Sequence, residues 1–248
     1  MSDLDNKAAT EVYGEDYGER WFMDPSSFEE NLQAIWGRKW SVSSEVGKLK
    51  ACLVRRPGKE IEYVKDPSEW RWGDVMDPQK ARDQHDAFTQ VYRDHGVDVF
   101  YVEEQREDRP NAIYMRDNVL GTPEGVILCR QATKFRRGEE PAVARSLTNI
   151  GCPIIRTISG KAVFEGACAI WINRQTIILG TGVRSNQEGI RQVEEVLRPM
   201  GVENILHFQI PYGHAHLDGL INPVDKDKIL IFPWQTPYDV VEPLQKMG

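Results

Sequence analysis

Apolar and polar positions follow one recurring cadence along this chain. Apolar residues at helical spacing run into a glycine stop, and a β-branched run follows, in "FTQVYRDHGVDVFYV", "ARSLTNIGCPIIRTI" and "VEEVLRPMGVENILHF". In each copy a glycine follows His95, Ile150 or Met200, where it can take a positive φ and end a helix. A strand is predicted next. A fourth copy, "VEPLQKMG", closes the sequence without its strand. The cadence therefore predicts a continuation: a short β-branched strand, then a further module of about 40–60 residues.

The strands that open these units recur as "KLKACLVRRPG", "GVILCR", "CAIWINRQTIILGTG" and "DKILIFP". The third places Asn173 and Arg174 between two apolar arms and predicts a β-hairpin. Strands and a helix repeating about every 50 residues predict an α/β fold that closes by circular repetition and stops after the helix of its fourth unit. A ring with a sector absent exposes sheet edges, which isolated domains avoid. Residues 1–45 lie outside the repeat, and their "SFEENLQAIWGRKW" predicts an amphipathic helix capping a main domain over 46–248.

Composition narrows the class. The chain has 248 residues, 40% hydrophobic and 28% charged, with a mean hydropathy of -0.50, enough for one large core in a soluble protein. Thirty-one basic against 38 acidic residues give a net charge of -7, which argues against a nucleic-acid partner and suits a cationic small substrate. No apolar run reaches the roughly 18 residues of a membrane span, and the first residues show no basic or apolar leader, so a cytoplasmic location and no membrane partner are expected. Cys52, Cys129, Cys152 and Cys168 are far apart and mostly within apolar runs, which predicts packed thiols rather than disulfides.

Polar clusters interrupt the pattern at the unit boundaries: "YMRDN" (Arg116, Asp117, Asn118), "FEGA" (Glu165), "GVRSN" (Arg184, Asn186) and "HAHLDG" (His214, His216, Asp218). Singly each has a plain reading. Asp117-Asn118 makes a turn, Glu165-Gly166 opens a surface strand, Arg184 is a solvated loop cation, and a lone histidine is structural. Three carboxylates, a histidine and an arginine at matching places in successive units point instead to one site.

These four blocks, taken with "HAHLDGLINPVDKDKILIFPWQTPYD", resemble the guanidine-modifying enzyme superfamily of arginine deiminases, dimethylarginine hydrolases and amidinotransferases, from about residue 48 to the end of the chain. The resemblance implies a five-bladed α/β propeller of ββαβ-like modules. It implies that Asp117 and Asp218 hold the substrate guanidinium, that His216 oriented by Glu165 moves protons, and that Arg184 grips a substrate carboxylate, with Arg116 beside them. The nucleophilic cysteine of such enzymes lies in the fifth module, so it is expected beyond residue 248. No cofactor is called for, the partner is a small guanidino compound such as arginine, and a homo-oligomer is compatible. A gating loop fits "VRRPGKEIEYV" without being placed by it.

The chemistry explains the residue types. A guanidinium is cationic, planar and resonance-stabilised, so its carbon is a poor electrophile until carboxylates hold its nitrogens and one nitrogen is protonated to leave. A hydrolase acting on arginine or a close analogue through a covalent thiouronium is the leading expectation, with amidino transfer to an amine as an alternative. Three further readings stay open. Cys168 stands where relatives often carry a carboxylate, and could itself be the nucleophile. His214, His216 and Asp218, on one face of an extended strand, could ligate the metal of a hydrolase. A propeller without a nucleophile could bind a guanidino compound without turning it over.

Overall fold

The computed structural model describes residues 24–247. The amphipathic helix expected from "SFEENLQAIWGRKW" is α1 (Phe28–Ile35), which opens with Ser27 and Glu30 capping each other's backbone N–H. A parallel pair follows, β1 (Ala51–Val54) and β2 (Asp98–Tyr101), joined through α2 (Pro78–Asp94). Asp77 caps α2 and Pro78 occupies its first turn, where a missing N–H costs nothing. This first unit differs from the expected module in having no antiparallel strand beside β1 among the described residues.

The next two units have the full pattern. β3 (Val119–Thr122) and β4 (Gly125–Leu128) form a hairpin, α3 (Glu140–Asn149) crosses over, and β5 (Ile154–Thr157) lies parallel to β4. β6 (Ala169–Asn173), β7 (Thr176–Thr181), α4 (Gln187–Leu197) and β8 (Asn204–Gln209) repeat it in the same order. The hairpin turn falls at Arg174–Gln175, one residue beyond the position expected from "INRQT". A fourth unit holds the hairpin of β9 (Ile221–Asp225) and β10 (Lys228–Ile231), followed by α5 (Tyr238–Met247). The four sheets share no strand, and among the described residues they form no closed barrel.

Gly96, Gly151 and Gly201, which were expected to end three helices, have φ of +74°, +77° and +83°. Each lets the chain leave its helix through the left-handed region that a side chain disfavours, and turn straight into β2, β5 or β8. The predicted stop at Gly248 lies outside the described residues.

β7, flanked by β6 and β8, is buried over most of its length and reads as the continuous apolar run "TIILGT" for that reason. Phe164, Trp171, Ile177, Ile178, Leu179, Phe208, Leu217 and Ile221 pack with Ile190, Val193 and Leu197 of α4 into one core spanning the second, third and fourth units. That shared core fixes the openings of the three units against one another. Among the described residues no helix is long and apolar enough to cross a membrane.

Candidate functional site

Three loop segments meet where these units open. Asp117 and Asn118 end a short 3-10 turn, Met115–Asn118, directly before β3. Glu165 precedes the turn Gly166–Cys168, directly before β6. His216 lies in the loop before β9. The first two turns touch so closely that a Cβ on Gly166 would lie 2.3 Å from the carbonyl oxygen of Val119 and 2.4 Å from that of Arg116, which only glycine allows. The backbone N–H of Leu217 donates to the carbonyl of Ala167 at 3.1 Å and ties the histidine loop to the glutamate turn.

The result is a cluster in which Asp117, Glu165 and His216 each bring one ligand-capable atom within 4.8 Å of the others. His216 Nε2 is 2.6 Å from Glu165 Oε2 and 3.5 Å from Asp117 Oδ1. Glu165 is fully buried, and its other oxygen accepts the N–H of Ala132 at 2.9 Å while Arg184 lies 3.4 Å away. Burial alone would raise the Glu165 pKa, but the His216 bond, the Ala132 amide and the Arg184 charge together hold it below its ordinary value. For His216 burial opposes the charge, yet the Glu165 bond and the Asp117 and Asp218 charges prevail and raise it. Both shifts favour the carboxylate–imidazolium form of the pair.

Asp218 sits at the rim, with its pKa raised by burial against the pull of Arg116 and His216. Its carboxylate is 3.5 Å from Arg116 Nε. Arg116 also reaches Glu45, at 3.4 and 3.3 Å.

Several sequence expectations change. Residues 214–218 form a loop and turn rather than a strand, so the alternation that put His214, His216 and Asp218 on one face does not hold. His214 lies against the ring of Phe232, with centroids 6.4 Å apart, and is not among the three clustered donors. Asn186 caps α4 by accepting the N–H of Gly189 at 2.8 Å and serves the fold. Cys168 is fully buried in the core, and burial pushes its thiol up to about 12 against the bond to Ser185. That is the opposite of the depressed pKa an attacking thiolate needs. "VRRPGKEIEYV" is a loop with one 3-10 turn, Lys59–Ile61, pinned by the buried ion pair of Arg55 and Glu60 at 2.9 Å. It borders a cavity of about 750 Å³ that shares no lining residue with the cluster.

The sequence reading missed Arg136 and Glu139. Arg136 is 3% exposed and donates to Asp117, twice to Glu139 at 2.9 and 2.8 Å, and to the carbonyl of Tyr114 at 3.0 Å. Asn118 donates to Glu139 at 3.0 Å and accepts from Gln131 at 3.1 Å, closing a buried network behind Asp117. The run "FRRGEEP" resembles a solvated charge cluster, and only the i, i+3 spacing of Arg136 and Glu139 after a strand hinted otherwise.

The family model described as "N,N dimethylarginine dimethylhydrolase, eukaryotic" matches residues 71–229. An uncharacterized Caenorhabditis elegans protein is 30% identical over 190 residues, covering 75% of this chain and 64% of its own length, so the chain spans less than two thirds of that relative. The arginine deiminase of Lactococcus lactis subsp. lactis is 20% identical, covering 78% of this chain and 69% of the relative. Among solved structures, the dimethylarginine hydrolase DDAH from Pseudomonas aeruginosa, complexed with citrulline, superposes with a TM-score of 0.64 at 20% identity, over 78% of this chain and 74% of that one. The N-terminal domain of ArgZ, a cyanobacterial arginine dihydrolase bound to product, gives 0.65 at 20% identity, over 79% and 72%. The family match takes in Asp117, Glu165 and His216 together with the hairpin–helix–strand units that bring them to one place, and the chain belongs to the dimethylarginine dimethylhydrolase family of guanidine-modifying proteins.

Proposed function

We propose that the complete protein hydrolyses the guanidino group of arginine or a close analogue, with Asp117 and Asp218 holding the guanidinium and the Glu165–His216 pair moving its protons. The observation that carries this reading is the 2.6 Å contact between His216 and Glu165 beside Asp117, in a chain of this family. Asp117 Oδ2 is taken by Arg136, which leaves Oδ1, on the His216 side, to accept one substrate N–H. Charge-assisted bonds from Asp117 and Asp218 fix the guanidinium plane. A thiolate adds to the guanidino carbon, and the imidazolium of His216 gives its proton to the departing amine as the carbon–nitrogen bond breaks. A thiouronium remains on sulfur. His216, now neutral, takes a proton from water as the water oxygen attacks the same carbon, and the carbon–sulfur bond breaks to restore the thiolate. The ArgZ domain has been crystallised covalently bonded to a reaction intermediate, which favours a covalent route here.

Burial raises all four cysteines, with Cys152 and Cys168 at about 12, and Cys52, half-buried on β1, is not among the residues of the cluster. We therefore assign the thiolate to a cysteine outside residues 1–248, in a fifth blade completing a propeller. Arg184 lies against the Glu165 charge and would turn toward a substrate carboxylate. A metal reading finds less support: both oxygens of Glu165 already have partners, and the cations Arg136 and Arg184 flank the cluster.

Product analysis with the complete protein on arginine, methylated arginines, agmatine, and arginine with glycine tests the proposal. Citrulline, ornithine or ammonia is the expected product class. An amidino group transferred to glycine, with ornithine left behind and neither ammonia nor citrulline formed, would establish amidino transfer instead, and stoichiometric metal with activity lost in chelator would establish the metal reading.

A further inference from the structure

We infer that Glu45 is a positioning residue for the guanidinium-binding carboxylate Asp218, acting through Arg116. This rests on the reading of Asp218 given above.

Glu45 lies 71 positions from Arg116 in the chain, in a strap, residues 42–47, that touches β3 at Thr122 and β6 at Trp171. Three contacts fix the strap. The N–H of Val42 donates to the carbonyl of Thr122 at 2.8 Å, at the end of β3. The Val42 side chain fills the space a Cβ on Gly121 would occupy, at 2.6 Å. Ser44 Oγ accepts the N–H groups of Val46 and Gly47, at 3.2 and 3.1 Å, and folds the strap into a turn. The turn delivers the Glu45 carboxylate to the N–H of Trp171 at 3.2 Å and to both terminal nitrogens of Arg116. Trp171 in turn donates its indole N–H to the carbonyl of Gly121 at 3.0 Å, so strap, β3 and β6 brace one another.

Arg116 is thereby shared. Its terminal nitrogens face Glu45, one of them also the carbonyl of Ala169 at 3.3 Å, and its nearest approach to Asp218 is from Nε, at 3.5 Å. An unshared arginine–carboxylate pair closes to about 2.7–2.9 Å, often with two parallel bonds. Glu45 keeps Arg116 from doing that. If Glu45 lost its charge, Arg116 would be free to pair fully with Asp218, and the cation competing with substrate for that carboxylate would be the protein's own guanidinium. The side chains of Glu45, Arg116 and Asp218 are 22%, 46% and 37% exposed, so the effect is that of a partly screened pair.

The test is binding of L-arginine by calorimetry to the complete protein carrying His216→Ala, which removes turnover, with and without further changes at the strap. Glu45→Gln is expected to weaken L-arginine about threefold to fivefold. Glu45→Asp should recover at least half of that loss, and Val42→Ala, which loosens the strap without touching charge, should leave affinity within about twofold. Unchanged affinity in Glu45→Gln overturns the inference, as does an equal loss in Val42→Ala. Should Glu45→Gln fail to fold, Glu45→Ala, which also removes the charge, decides, a loss smaller than twofold going against the inference. Absence of L-arginine binding in the parent protein would overturn the reading of the site itself, an outcome visible before any strap variant is made.

Discussion

His216 Nε2 and Glu165 Oε2 lie 2.6 Å apart although 51 positions separate the two residues in the chain. Each stands just before the first strand of its unit, so the contact follows from docking two repeats side by side. In the complete protein, His216→Ala and Glu165→Gln should each lower kcat by at least ~10²-fold while the circular dichroism spectrum stays native. His214→Ala, beside Phe232 and away from the cluster, should change kcat much less. Equal losses from both histidines, rescued by added metal, would refute the acid–base assignment.

The pair also sets a pH dependence. His216 must carry its proton to act as an acid, and its raised pKa keeps it protonated beyond its ordinary 6.5. The alkaline limb of kcat/KM is therefore expected above pH 6.5. In Glu165→Gln, which removes the bonded carboxylate, residual activity should lose that limb at lower pH. A limb unmoved by this substitution would assign the titration to another group.

Stability carries the same signature. A raised His216 contributes fully below 6.5, and the contribution is lost as pH rises through its folded value; a lowered Glu165 contributes fully above 4.5 and is lost as pH falls through its own. The Tm difference between wild type and Glu165→Gln should therefore be largest between these limits and shrink on both sides.

Arg136 compensates two buried carboxylates, Asp117 and Glu139, and opposes the burial that raises the Glu139 pKa. Arg136→Met should cost about 3–5 kcal/mol, because it strands charge in the interior. Urea unfolding would register it as a lower midpoint. A near-neutral substitution would mean that the network is rebuilt by water.

Cys168→Ala should leave kcat within about threefold, since a thiol held at about 12 is neutral at working pH. Loss of turnover in a folded Cys168→Ala protein would make this thiol the nucleophile.

The repeat was legible because glycine reports a backbone need: Gly96, Gly151 and Gly201 mark the end of a helix wherever the chain must turn into a strand. The carboxylates and His216 were legible from residue type at matching positions. The alternation argument at His214 failed for a local reason. The chain turns at Tyr212–Gly213, and Leu217 is drawn inward to bond Ala167, so neighbouring residues no longer share a pleat. Arg136 was hidden because its partners, Asp117 and Glu139, come from two segments, and a charge run has the same appearance on a surface as in a buried network.

The closing turns of the hairpins, at Arg174–Gln175 and Lys226–Asp227, stand at the opposite end of their strands from Glu165 and His216. A strand of four or five residues separates the two ends by about 13–17 Å. The candidate site and the closing turns thus lie at different rims of the same unit. Lys226–Asp227, exposed and remote from the acid–base pair, is accordingly a place where a dye, an affinity tag or a short grafted peptide can be carried with the reacting groups left in register.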